Sequence, residues 1–443
     1  MNRRRFNFLL SGGSFATGLG IARPSNATQS TRGTDWECWA GPNQDFSVSW
    51  PQNLKWQAPN LLWKQELGRG HSAVVSSSDS CFVFHLVGDE EKLEKRSLSD
   101  GKKIWESHHR VSYHASTANY DGPHATPAIV GNRIITVGID AIVRASNTKD
   151  GTPIWSCDLK SKLGTQLPQS GYACSPLVWK NLVFVAGLGN ATDSETEYFE
   201  ERSGKSETGK SIAGAAAIDC RTGKIVWRSE SFRASHSSPV LMEIENQVML
   251  VFHGMFELVG VDPNSGKILW RQLLRKVAAD NVSFTPIWDR KRRQILIAHG
   301  YCDHGAQAIQ LSKKKGEWKT RIAWTNRQLQ IVHTNAVLVG TYLVGTRRPS
   351  PTLWTAIDVR NGRTVFRERG FRKSNFLSMG GGKVIILDER GKLIGASIKD
   401  GAVVETWQTA VASKQAWTVP TFSGETLLMR DGNQLAALKF AKK

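Results

Sequence analysis

No two of the six cysteines, Cys38, Cys81, Cys157, Cys174, Cys220 and Cys302, are adjacent, and no pair is spaced CxxC. That removes zinc ribbons, thioredoxin-type redox pairs and c-type haem attachment from consideration. HExxH, GxSxG, a Walker loop and a dinucleotide fingerprint are also missing, and with them the short patterns of hydrolase, NTPase and nicotinamide chemistry. After residue 27 no apolar run reaches the roughly 18 residues of a spanning helix. No cluster of Asp, Glu and Asn offers the oxygen cage that calcium requires. Acidic residues are scarce, 39 against 58 Lys and Arg, giving a net charge of +19.

Part of that charge sits in residues 1–27, which read as an export signal. Arg3, Arg4 and Arg5 precede a Gly-rich apolar segment at 8–22, and "SNA" at 25–27 places small residues where a signal peptidase reads. "RRRF" is similar to the twin-arginine signal that exports folded proteins. Removing this segment takes away four arginines and leaves +15. In an oxidising compartment disulfides are allowed, but six cysteines permit 15 pairings and their spacing selects none.

What the chain does contain is a repeat. "AIDCRTGKIVWR" at 217–228 reads strand, turn, strand, and nearly the same sentence returns at 97–106, 146–156, 260–271, 356–367 and 397–408. The aromatic that closes each unit is Trp63, Trp105, Trp155, Trp227, Trp270, Trp324, Phe366 and Trp407, at intervals of 42, 50, 72, 43, 54, 42 and 41 residues. Upstream of most hairpins lie two more apolar segments, the first often carrying Ser or Thr before Pro, as in "HATPAIV", "ACSPLVW", "HSSPVLM" and "SFTPIWD". Four short strands per unit of 40–50 residues is the signature of a β-propeller.

The ends of the repeat predict how the ring closes. "NLLWKQEL" at 60–67 has a closing Trp without three strands before it, and the segment at 426–440 has earlier strands without a closing arm. The N-terminal strand is expected to complete the last blade, which removes two exposed edges. The predicted fold is all-β: an eight-bladed propeller of four-stranded antiparallel blades over 60–440, preceded by an N-terminal extension at 28–59. Seven blades would follow only if the weaker unit at 305–325 were misread. Each indole is expected to fill the gap to the neighbouring blade, with the turn glycine allowing close approach. The polar segment 189–214 accounts for the longest interval and reads as a surface loop.

The motif "AxDxxTGKxxW" resembles the tryptophan-docking repeat of the PQQ-like eight-bladed propellers, and "AGPNQDF" at 40–46 resembles the opening of many exported members. That family includes quinoprotein dehydrogenases and the non-enzymatic outer-membrane assembly lipoprotein of the BamB type. The resemblance implies the fold over roughly 36–440 and leaves the activity open. The quinoprotein branch holds its quinone beside a disulfide of adjacent cysteines, with a bridging calcium and an Asp base, and this chain lacks the cysteine pair. "YCDHG", with Cys302, Asp303 and His304, reads as a turn between strands.

Alignment of the blades sets His71, His124, His236 and His333 near the start of the first strand in four units. They form a candidate ligand site at one mouth of the channel, where imidazoles can bind a metal, or an anion when protonated. The reading that follows is an exported protein of the periplasm or cell envelope, without catalysis or cofactor, acting as a protein-interaction or ligand-binding scaffold. Its expected partners are an envelope protein and an anionic lipid or polysaccharide surface, with no nucleic acid, and the chain is expected to act as a monomer. The alternatives are a PQQ- or metal-dependent oxidoreductase, and carbohydrate binding through exposed aromatics such as Trp36, Trp39 and Trp417.

Overall fold

The structure, a computed structural model, describes residues 35–115, 121–168, 170–188, 213–275, 282–300, 304–347, 352–411 and 415–443. Residues 1–27, read above as an export signal, and nearly all of the loop 189–214 lie outside these residues, as do Cys302 and Asp303. The chain forms eight antiparallel sheets of four strands each. Blade one consists of Val75–Ser77, Ser80–Val87, Glu90–Ser97 and Lys103–Arg110. Blades two to seven span 128–158, 177–228, 240–273, 287–326, 337–368 and 374–410. Blade eight takes three strands from 421–439, and Asn60–Glu66 pairs antiparallel with Gln434–Lys439 as its outer strand. The ring is closed by the N-terminal strand. Among the described residues no helix is long and apolar enough to cross a membrane.

Strand patterning explains the layering. Second strands such as Ser80–Val87 and Gln294–Ala298 are apolar on both faces because each is covered by both neighbouring blades. Outer strands alternate, leaving Ile104, Ile154, Val226 and Val365 exposed while the next aromatic turns inward.

Five of the closing aromatics dock on the following blade in one geometry. Trp63, Trp105, Trp155, Trp227 and Trp324 donate their indole N–H to the carbonyls of Leu98, Thr148, Cys220, Pro263 and Val359, at 2.9–3.2 Å. Three residues beyond each carbonyl stands a glycine with φ between +72° and +77°, at 101, 151, 223, 266 and 362. A Cβ on any of these would lie 2.5–2.7 Å from the docked indole. The turn glycine is thus demanded twice, by its left-handed backbone and by the ring above it.

Three of the eight depart from that expectation. Blade five's outer hairpin runs six pairs past its β-bulge, from Ile309↔Ile322 to Lys314↔Glu317, about 16 Å of ladder from the first pair to the last. Its turn glycine, Gly316, therefore meets nothing within 4 Å. Trp270 folds back over Gly260 of its own blade and donates to the Met249 sulfur at 3.2 Å. Phe366 has no N–H, and the buried Trp354 on the adjacent strand supplies it, donating to the Gly401 carbonyl at 3.1 Å. Trp407 faces a blade whose outer strand comes from the N-terminus, so no turn is there to receive it. Its indole lies over Gly395 and beside Trp56 and Phe440.

The Ser/Thr-Pro segments also acquire a reason. The amides of Ala73, Thr126 and Ser175 donate to the hydroxyls of Thr126, Ser175 and Ser238, each at 3.0 Å, stitching blades one to four around the channel. At the seam between blades eight and one, the buried Arg430 guanidinium donates to the carbonyls of Ser72, Phe84 and Gly68 at 2.6–3.2 Å. Burial pushes its pKa down to about 10. The five described cysteines are all free, four of them buried.

Candidate functional site at the channel mouth

The first strand of every blade runs from one end of the channel, here the entry end, to the far end. The segment 35–48 occupies the far end. Trp36 exchanges backbone hydrogen bonds with Ser76 of blade one, at 3.1 and 2.9 Å. The Glu37 carbonyl accepts from Ile129 of blade two, and the Gln44 side chain from Leu241 of blade four. Trp39 donates to Thr285 at the start of blade five at 2.8 Å, and Phe46 and Val48 bracket Ser378 of blade seven. Contacts on opposite sides of the ring mean that the segment crosses the lumen and stoppers it. Left-handed backbone at Ala40, Gly41, Gln44 and Phe46 coils it tightly enough to fit. The quoted "AGPNQDF" is therefore the stopper. The extension was legible as a segment before the ring; that it enters the ring was not, since nothing in its pattern marks a strand partner.

At the entry end the four predicted histidines are brought together. In register they occupy one position of blades one, two, four and six. The corresponding residues of blades seven and eight are Lys373 and Trp417, and blades three and five carry Ala173 and Ser283 there. His71 and His124 have ring centroids 5.3 Å apart, and His71 stacks on Trp417 at 5.3 Å and 27°. His333 lies 6.2 Å from Trp417, and the Lys373 ammonium sits 3.7 Å over the Trp417 ring. His236 shares a hydrogen bond of 3.3 Å with Ser170. Six blades thus contribute one side chain each to a collar of imidazole, ammonium and indole. The plug contacts at Ser76, Ile129, Leu241 and Ser378 each follow a collar residue by five positions, about 16 Å of extended chain, while Trp39 reaches up to Thr285, two positions past Ser283.

Backbone bonds fix the collar. His71 donates its amide to Pro123 at 2.9 Å and its carbonyl accepts from the Thr418 hydroxyl at 3.3 Å, linking blades eight, one and two. His333 has φ +54°, an unusual state for a non-glycine residue, and its amide donates to Ser283 of the neighbouring blade. Burial, reinforced by the nearby His124, pushes the His236 imidazole down to about 4. Of the four histidines, His236 is therefore neutral at pH 6 and acts there as a hydrogen-bonding group rather than a charge.

Lys373 and Trp417 were missed as collar members because the search followed one residue type. Aligning the blades on the strand start instead of on His would have found both. Trp417 is half-buried within the collar, Trp36 is 2% exposed beneath it, and Trp39 is half-buried with its N–H engaged. The three do not form the exposed aromatic surface expected for carbohydrate binding. His304 stands in the turn before the strand Ala306–Lys314. A calcium-bridged quinone would require carboxylates and adjacent cysteines at this mouth. The collar carries neither, and among the described residues no group of three or more His, Cys, Asp or Glu is placed to hold a metal ion. The donor set does not fit that cofactor.

Comparison with known proteins bears on this fold. No curated protein matches the chain by sequence. BamB from Moraxella catarrhalis is similar in structure, with TM-score 0.56, 11% identity, and coverage of 86% of this chain and 98% of that one. A quinohemoprotein alcohol dehydrogenase from Comamonas testosteroni gives TM-score 0.66 and 12% identity over 93% and 81%. The computationally designed Ika8 protein gives TM-score 0.55 and 11% identity over 87% and 100%. At such identities these likenesses show the fold alone. A family model described as outer membrane protein assembly factor BamB matches residues 57–191 and 90–368, well over half of the chain, which therefore belongs to this family of PQQ-like propellers.

Proposed function

We propose that the protein is an exported, non-catalytic scaffold of the cell envelope whose open channel mouth binds carboxylate-bearing groups. The observation that carries this reading is the collar: His71, His124, His333, Lys373 and Trp417 converge over a channel stoppered by residues 35–48. A blind channel with donors at its rim is a receptacle rather than a pore, and few polar groups converging in a concavity is how ligand sites are built. Imidazole N–H groups and an ammonium donate to carboxylate oxygens, and the charge assistance strengthens those bonds. An indole presents a flat wall to an apolar or planar moiety. The carboxylate comes from a small anion or from an acidic segment of a partner protein. The family's membership of an outer-membrane assembly factor supports an envelope setting and a protein partner.

The test is calorimetric titration of the full chain with two probes, free benzene-1,3,5-tricarboxylate and a Glu-rich peptide. Saturable binding of either, weakened at least ten-fold in His71→Gln/His124→Gln, supports the reading, and the stronger probe identifies the source. Absence of binding by both, or equal affinity in the variant, overturns it.

A further inference from the structure

The far end of the ring carries a second feature, independent of the collar. In an antiparallel blade the turn between the first two strands and the turn between the last two lie at the same end. In blade five these turns are Arg290–Arg293 and Lys315–Gly316, and both are strongly basic. The second caps the overlong hairpin described above, so its tip, Lys313-Lys314-Lys315, stands beyond the neighbouring hairpins. Those three lysines, Arg290 and Lys291 are all exposed.

Acidic groups beside these two turns are matched by cations. Glu245 pairs with Arg293, Asp289 with Arg292 at 3.0 Å, Glu317 with Lys319 at 2.8 Å, and Arg290 acts on Asp45 of the stopper. Lys291, Lys314 and Lys315 form no ion pair among the described residues. Opposite Lys313 near the tip, Trp318 donates to Gln247 of blade four at 3.2 Å, and the Lys313 ammonium lies 5.4 Å over its ring. Lys313 also donates to Gln247, at 3.4 Å, so the hairpin is braced against its neighbour while Lys314 and Lys315 stay exposed.

We propose that this end of blade five docks the protein on an anionic lipid surface, with the Lys313–Lys315 tip and the Arg290–Lys291 turn facing the head groups. Lysines on a projecting tip act as point charges without the fork geometry that selects one phosphate, and they suit a continuous charged plane. The half-buried Trp318 adds an amphipathic ring of the kind that settles at head-group level. Docking this way leaves the collar, at the opposite end of the channel, open to solvent.

The experiment is co-sedimentation of the full chain with phosphatidylcholine vesicles, with and without phosphatidylglycerol, at low and high salt. Binding is expected only to the anionic vesicles and is expected to fall with salt. Lys314→Gln/Lys315→Gln should reduce partitioning about 25-fold, roughly five-fold per lysine. The control is Lys102→Gln/Lys149→Gln, which removes the same charge from the turns of blades one and two and is expected to change binding less than two-fold. Equal partitioning to neutral vesicles overturns the proposal, as does an equal loss in the control pair. Tighter binding of heparin or duplex DNA than of anionic vesicles, lost in the same variant, overturns it in favour of a polyanion.

Discussion

Replacing Gly223 and Gly316 separately by alanine measures blade docking apart from turn strain. Both glycines are left-handed, with φ +72° and +85°. Each variant therefore bears the cost of a left-handed alanine, about 1–2 kcal/mol. Only at Gly223 does the new methyl meet an indole: its ideal position lies 2.7 Å from Trp155 Cδ2 and 2.8 Å from Cγ and Cε3, whereas at Gly316 nothing lies within 4 Å. Relieving that overlap shifts the ring, at about 1–3 kcal/mol for overpacking. It also strains the 2.9 Å bond from Trp155 to the Cys220 carbonyl, worth about 1 kcal/mol. Gly223→Ala should therefore cost about 3–6 kcal/mol and Gly316→Ala about 1–2 kcal/mol. Urea unfolding followed by far-ultraviolet circular dichroism reads both. In a Trp155→Leu background the Gly223→Ala cost should drop to that of Gly316→Ala, since the obstacle is gone. Equal costs for the two single variants would refute the docking argument and assign the whole effect to the turn.

Two further outcomes follow from the same geometry. Deleting residues 60–66 removes the strand paired with Gln434–Lys439 and should yield an aggregating ring with that strand's edge left free; unchanged melting would contradict closure by this strand. Acidification should lower stability: His236 is held to about 4 and His299 to about 3, both chiefly by burial. The unfolded chain takes up protons below about pH 6.5 that these native imidazoles refuse, so stability is retained above that pH and falls through the window down to 4 and then 3. His236 alone contributes a loss of roughly 3 kcal/mol, and urea midpoints from pH 7 to 4 should flatten in His236→Gln; an unaltered slope would exclude His236 as the source.

The blades were readable because a propeller writes its packing into a period. Each closing aromatic stands about one blade after the last, and the turn glycine follows at a set offset in the next unit, so fold and docking partner share one signal. Where the geometry departs, the signal was local and ambiguous. Trp270 stands in nearly the same local sequence as Trp227, "GKILWR" against "GKIVWR", and the length of the following blade's hairpin takes its docking partner away. Trp354 carried no mark of its role until Phe366, without an N–H, left the Gly401 carbonyl to it. The collar was half legible for a related reason. Four of its members share a residue type, while Lys373 and Trp417 share with them only a register position. The stopper was the least readable part, because residues 35–48 bond through irregular backbone to strands from 40 to more than 300 residues away.

These observations separate two kinds of position in each blade. Docking aromatics, turn glycines and the hydroxyls of the Ser/Thr-Pro segments bind one blade to the next, and a change there is felt by the ring. Collar residues sit at the start of the first strand, above the hydroxyl stitching and above the stopper's backbone contacts. The blades at Ala173 and Ser283 close as completely as those at His124 and His236, so ring closure places no demand on what the collar side chain is. Chemistry at the mouth can therefore differ between propellers of one architecture without altering how the blades are held. That freedom is why the shared fold leaves the activity open, and why His71, His124, His333, Lys373 and Trp417, rather than the repeat that built the ring, carry the functional reading of this protein.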